Sequence, residues 1–329
     1  MCFGGFLKIL ITGGTGFFGK ALLRYFLENR LKFDKLNVTI ISRDPDFFLR
    51  CNPEFKEQTW LKWCQGNILD KKTLPWGESY DYILHAAADS TNGDRLDEYE
   101  RYEQIVAGTK NILDLSIYTS VSRFLYVSSG AVYGPQASKI SSLDENNLGS
   151  PDPLQTSSTY GIAKKCAEHL SILFSQKNGV EVIIARCFAF VGKDLPRDAH
   201  FAIGNFIEDA LNERDIIVNG DGKPIRSYMD QRDLAKWLVR ILTHGKNRHA
   251  YNVGSDQPIS ILELAKLVRD VINPRLSVIV KGCNYEQSQR NFYLPSIEKA
   301  KNELGLVLEF SLKDSIQNVV DEFFKAKGD

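Results

Sequence analysis

An almost wholly apolar run, Phe6 to Thr12 (FLKILIT), passes directly into Gly13-Gly14-Thr15-Gly16-Phe17-Phe18-Gly19, and that turn passes into a helically spaced stretch ending at Asn29. A strand with so few polar residues needs cover on both faces. Strand, glycine turn and helix in this order make a phosphate-binding arrangement. Gly13 permits the tight turn, Gly16 lets backbone approach a pyrophosphate, and Gly19 lets the helix pack close to the strand. The helix then presents unpaired N–H groups and a positive dipole end to the anion.

The same rhythm recurs along the chain. Apolar runs at Val38–Ser42, Trp60–Cys64, Tyr82–His85, Phe124–Ser128 and Val182–Ala185 alternate with helical patterns such as Asp97–Thr119 and Ser157–Gln176. Alternation of this kind predicts a doubly wound parallel α/β sheet. From about Cys187 the pattern changes to helices at His200–Leu211, Asp233–Leu242 and Ile261–Val271 mixed with short strands. Ser260 and Glu263 fit a capping box opening the last of these, and Asn273-Pro274 closes it. The expected organisation is a dinucleotide-binding domain over residues 1–186, with about 226–256 returning to it. A smaller mixed α/β lobe takes about 187–225 and 257–329.

Two further patterns carry chemistry. Tyr160 and Lys164 form a Tyr-x-x-x-Lys pair, placing both side chains on one helix face. The ammonium lowers the tyrosine pKa, and such a tyrosine can exchange a proton with a sugar hydroxyl during hydride transfer. Ser128-Ser129-Gly130-Ala131-Val132-Tyr133-Gly134 stands at the C-terminal end of a predicted strand, the edge at which open α/β sheets bind ligands. The second strand ends Ile40-Ile41-Ser42-Arg43-Asp44. Arg43 and Ser42 suit the 2′-phosphate of NADP(H), which this reading favours slightly over NAD(H). The alternative is Asp44 reaching back to a ribose hydroxyl.

Together the glycine turn, the strand-end serine before Val-Tyr-Gly and the Tyr160/Lys164 pair resemble the extended short-chain dehydrogenase/reductases, the nucleotide-sugar epimerase/dehydratase group. The likeness continues through His85-Ala86-Ala87-Ala88, Gly220-Asp221-Gly222, Arg226-Ser227-Tyr228 and Tyr251-Asn252-Val253-Gly254. It implies a Rossmann-like sheet with a smaller mixed α/β substrate-binding lobe, and Ser129, Tyr160 and Lys164 as catalytic residues. Cofactor contacts are implied at Gly13, Thr15, Gly16, Phe17, Phe18, Gly19, Ser42, Arg43, Asn67, Ile68, Ala86, Ala87 and Lys164. A nucleotide-diphosphate sugar is the implied substrate, with Arg226 and Arg290 at its pyrophosphate and Asn205 and His200 as further contacts. His85 is read as ending a buried strand beside the cofactor. The resemblance also implies a homodimer through the helices Asp97–Thr119 and Ser157–Gln176.

Several positions depart from that group's pattern. The Asp-Glu pair that follows the catalytic residue in its dehydratases is Gly130 and Ala131, and the glutamate of its decarboxylases is also replaced by Ala131. Ile105, Ala189 and Asn67 stand where the group usually carries Asn, Asn and Asp. The implied reaction is therefore hydride transfer at a sugar carbon, C4 in the first instance, by a 4-epimerase or a 4-keto-sugar reductase. A 4,6-dehydratase and a non-catalytic NAD(P)-sensing protein are the alternatives.

Charge and cysteines bound the remaining classes. With 41 basic and 41 acidic side chains the net charge is +0, which gives nucleic acid or an anionic membrane no general attraction. No apolar run approaches the roughly 20 residues of a membrane span. The six scattered cysteines form no CxxC pair, so reduced thiols and a cytoplasmic setting are expected, with no metal site.

Overall fold

The computed structural model describes residues 3–88, 96–137, 139–197, 201–282 and 292–328. The chain divides into two compact units. The first comprises Met1–Val132, Asp152–Arg186 and Ala235–Tyr251. Its strands, numbered along the chain, are β1 (Phe3–Thr12), β2 (Phe33–Ser42), β3 (Leu61–Gln65), β4 (Tyr82–His85), β5 (Arg123–Ser129) and β6 (Glu181–Cys187), joined by β11 (Ala250–Val253). They form one seven-stranded sheet in the order β11-β6-β5-β4-β1-β2-β3. The pairs β1·β2, β1·β4, β2·β3 and β4·β5 are all parallel. The order reverses between β1 and β4, so their C-terminal ends, Thr12 and His85, flank the crevice where such sheets take ligands.

Helices α1 (Phe17–Glu28), α2 (Pro45–Cys51), α3 (Glu98–Tyr118) and α4 (Thr159–Asn178) occupy this unit, with most of α6 (Gln231–His244). Ile9, Leu10, Ile11, Ile83, Leu84, Phe124 and Leu125 are fully buried along β1, β4 and β5, as uninterrupted apolar strands require. Asp97 and Glu100 cap α3 reciprocally. Helix α4 is tied to β6 by Arg186, whose guanidinium meets Glu168 through Nε at 3.0 Å and Nη2 at 2.8 Å.

The second unit comprises Tyr133–Pro151, Cys187–Leu234 and Asn252–Asp329. Its strands pair in twos: β7 (Phe190–Val191) with β10 (Met229–Asp230), β8 (Ile216–Val218) with β13 (Val278–Val280), and β9 (Ile225–Arg226) with β12 (Ile259–Ser260). Helices α5 (Ala202–Leu211) and α7 (Ile261–Ile272) pack on β8 and on one another, while α8 (Glu298–Leu304) and α9 (Leu312–Gly328) complete it. The Ser260/Glu263 capping box is present and Asn273 caps the other end of α7. Asn252 is the polar hub of this unit. It accepts from the Tyr133 hydroxyl at 2.8 Å and donates to the carbonyls of Leu143 (2.8 Å) and Ser296 (3.1 Å).

Among the described residues, no helix is long and apolar enough to cross a membrane. Cys51, Cys64, Cys166 and Cys187 are free thiols.

Candidate functional site

The turn after β1 fits a pyrophosphate. Gly13 sits at φ +73°, and a Cβ there would lie 2.7 Å from the Ala86 carbonyl carbon and 2.8 Å from the Ala87 nitrogen. Only glycine holds that conformation against that neighbour at low cost. A Cβ on Gly19 would fall 2.2 Å from the Gly14 backbone, and one on Gly14 would strike Ile40. Gly16 differs: it is exposed, and the closest atom to its Cβ would be the Gly13 carbonyl oxygen at 3.5 Å. Nothing in the protein requires glycine there, which is what backbone open to a ligand looks like. Gly16 is also the N-cap of α1, with no side-chain cap and no acid in the first turn. The positive end of α1 is thus neither capped nor neutralised by its own side chains. Thr15, Phe17 and Phe18 are half-buried around it, the two rings edge to face at 5.7 Å.

His85 organises the floor between β1 and β4. Its Nδ1 lies 2.6 Å from Thr12 Oγ1 and its Nε2 lies 3.1 Å from Thr109 Oγ1. Thr109 donates its hydroxyl proton to the Ile105 carbonyl at 2.6 Å, so the imidazole must donate from Nε2. Nδ1 then accepts from Thr12, whose oxygen accepts the Ala87 N–H at 3.2 Å. Burial pushes the His85 pKa down to about 3, with the Lys164 charge adding to the effect. A neutral histidine therefore fixes the Ala86–Ala87 backbone against the glycine turn.

At the end of β2, Ser42 is buried and its Oγ accepts the Asp44 N–H at 3.3 Å, while Arg43 is exposed. Asp44 serves as the N-cap of α2 and accepts from the Phe47 N–H at 2.9 Å. Asn67 Oδ1 accepts the Leu69 N–H at 3.0 Å in a local turn. Ile68 is held by the Asn111 amide donating to its carbonyl at 2.8 Å. It fills space beside Gly108, where a Cβ would be 2.6 Å from the Ile68 side chain.

Beyond β5 the backbone enters a short 3-10 turn over Gly130–Tyr133, and Ser129 Oγ accepts the Ala131 N–H at 3.1 Å. Tyr160 opens α4 and Lys164 follows one turn later. The Lys164 ammonium is buried, donates to the Val127 carbonyl at 2.8 Å and lies 5.9 Å from the Tyr160 ring centre. The first unit contains the glycine turn, Ser129, Tyr160 and Lys164. It adds Thr12, Thr109, Tyr126 and Ser128, whose buried Oγ has no hydrogen-bond partner among the described residues. Spacing gives no sign of these, because their relevance comes from neighbours remote in sequence.

The second unit carries a cleft of about 700 Å³ lined by α5, the Val218–Gly222 turn and Ile261. Asn205 lines it. Arg226 does not; it is half-buried on β9, with Nη1 donating to the Ile225 carbonyl at 2.7 Å. His200 and Arg290 lie outside the described residues. Among the described residues, the cations on the cleft wall are Arg197, Arg214 and Lys281, none of which the sequence singled out. Arg197 pairs with Glu208 at 3.3 Å and Arg214 with Asp209 at 3.0 Å.

Comparison with known proteins bears on the fold and the family. UDP-glucuronic acid decarboxylase 1 of Arabidopsis thaliana is 27% identical over 321 residues, covering 96% of this chain and 70% of that protein. Pal from Bacillus thuringiensis superimposes with a TM-score of 0.83 at 28% identity, covering 98% of this chain and 100% of that one. The UDP-glucose 4-epimerase of Thermotoga maritima, solved with UDP-glucose, gives 0.82 at 22% identity with 98% and 100% coverage. Residues 9–254 match a single enzyme family, and the chain belongs to it: the NAD dependent epimerase/dehydratase family.

Proposed function

We propose that this protein transfers hydride at a carbon of a nucleotide-diphosphate sugar, C4 in the first instance, as a 4-epimerase or a 4-keto-sugar reductase. The observation that carries the reading is the buried Lys164 ammonium set one helical turn from Tyr160, beside the strand that ends in Ser129. The uncapped α1 terminus and the open face of Gly16 hold the cofactor pyrophosphate. When bound, a nicotinamide cofactor supplies or accepts the hydride. Tyr160 holds or delivers the proton at the sugar oxygen, Lys164 favours its ionised form, and Ser129 hydrogen-bonds the same oxygen. NADP(H) is the favoured cofactor, because Asp44 is occupied as the cap of α2 while the exposed Arg43 guanidinium suits a 2′-phosphate. The nucleotide end of the substrate belongs in the cleft of the second unit, with Asn205, Arg197 and Lys281 as contacts and Arg226 nearer the diphosphate. A cytoplasmic homodimer joined through α3 and α4 completes the proposal.

The relatives include decarboxylases and dehydratases, but the positions that would carry their acids are Gly130 and Ala131. Ala131 reaches Ser129 only through its backbone N–H. Incubation with UDP-, dTDP-, GDP- and CDP-sugars, 4-keto forms included, tests the proposal by following NADPH absorbance and product together. A reductase consumes NADPH, and an epimerase inverts C4 without net consumption. Tyr160→Phe retains cofactor affinity and loses turnover; full activity in that variant would overturn the mechanism.

A further inference from the structure

We propose that Tyr126 is a positioning residue whose buried ring face fixes the Lys164 ammonium beneath Tyr160. The inference rests on the Tyr160/Lys164 reading above and adds the element that holds the lysine in place. Tyr126 lies in the middle of β5, 1% exposed, and Lys164 Nζ sits 5.0 Å from its ring centre, closer than the 5.9 Å to Tyr160. The second fixed contact is the Val127 carbonyl, the next residue on the same strand. One strand thus supplies both an oxygen and a π face to a cation that is 3% exposed. Away from water a π face is worth more to an ammonium than it is at the surface.

Glu168, the carboxylate one turn further along α4, is engaged by Arg186 through both oxygens. His85 on β4 is held neutral and its ring lies 5.8 Å from that of Tyr126, so it adds bulk and no charge. Burial pushes the Tyr126 hydroxyl far above its ordinary range, which removes it as an acid or base and leaves its face as the working part. Between α3 and α4 a hydrogen bond with Cys166 raises the Tyr102 hydroxyl above its ordinary range. Ile105, where the resembling enzymes carry Asn, is also buried in this cluster.

The test reads the phenol of Tyr160 directly and needs no substrate. Protein labelled with 13C at tyrosine Cζ is titrated by NMR, and the Tyr160 signal is assigned by its loss in Tyr160→Phe. Tyr126→Phe keeps the ring face and retains the wild-type midpoint. Tyr126→Met fills similar space without a π face and raises the Tyr160 midpoint by about one unit, a tenfold change in acidity. Fluorinated phenylalanines at position 126 preserve shape while weakening the face, and raise the midpoint in step with fluorination even if the methionine variant does not fold. Lys164→Met serves as the control. If it leaves the Tyr160 midpoint unchanged, the Tyr–Lys reading itself fails. If it raises the midpoint while the fluorinated series stays at the wild-type value, the role of Tyr126 alone is overturned.

Discussion

Acidification should single out His85. Its ordinary pKa of 6.5 is lowered to about 3 in the folded chain, chiefly by burial. Between those values the unfolded chain binds the additional proton, so stability rises with pH through this window and falls as the solution is acidified. At about pH 5 the unfolded imidazole is protonated and the folded one is not. The gap of about 1.5 pH units below 6.5, at ~1.4 kcal/mol per unit, removes about 2 kcal/mol relative to pH 8. Other groups titrate over the same range, so the informative quantity is a difference. The stability of wild type minus that of His85→Gln, from urea unfolding, should shrink by about 2 kcal/mol between pH 8 and about pH 5. Nitrogen-15 NMR adds an independent check, because the hydrogen-bond chain through Thr12 and Thr109 requires the Nε2–H tautomer. A His85 resonance that titrates above about pH 5, an Nδ1–H tautomer, or parallel stability profiles for the two proteins would refute the reasoning.

Four further outcomes follow from the geometry of the chain. Gly13→Ala meets both a positive φ and the Ala86–Ala87 backbone and should lower stability by about 2 kcal/mol or more. Gly16→Ala meets nothing closer than the Gly13 carbonyl oxygen at 3.5 Å, an ordinary van der Waals contact, so its melting temperature should be unchanged while NADPH affinity falls; calorimetry and titration of both variants check the contrast. Arg43→Ala should weaken NADPH by about tenfold and leave NADH unaffected, as loss of one charged hydrogen bond implies. Equal weakening of both cofactors would remove the 2′-phosphate contact. Arg186→Met strands the buried Glu168 carboxylate and should cost about 3 kcal/mol in thermal unfolding, most of it recovered in the Arg186→Met/Glu168→Met double variant. A double variant no more stable than the single one would count against the buried pair as the cause.

Sequence reading and structure part at identifiable places. The strands of the first unit are legible because they are covered on both faces and so carry continuous apolar runs; Tyr82–His85 has the same bounds in both. The second strand begins at Phe33 rather than Val38, since Asp34, Lys35 and Asn37 break the apolar run near its start. The C-terminal helix α9 is not among the expected helices, although Ser311 and Asp314 cap it and Ile316, Val319 and Val320 are buried at helical spacing. Helix 200–211 starts two residues later, at Ala202.

What the sequence by itself determined is everything that depends on neighbours along the chain. The glycine turn, the Tyr160/Lys164 face, the Ser260/Glu263 cap and the vacant acid positions at Gly130 and Ala131 are all local, and local chemistry is written in spacing. Only tertiary structure could decide which side chains surround them. Arg226 matched a motif yet lies off the cleft wall, while Arg197, Arg214 and Lys281 line it without one. Tyr126 carries no signal in the sequence, and His85 is read only as ending a strand beside the cofactor; their contacts with Lys164 and Thr109 appear only in the fold. A parallel sheet brings the ends of separated strands to one edge, so contacts among them follow strand order rather than distance along the chain.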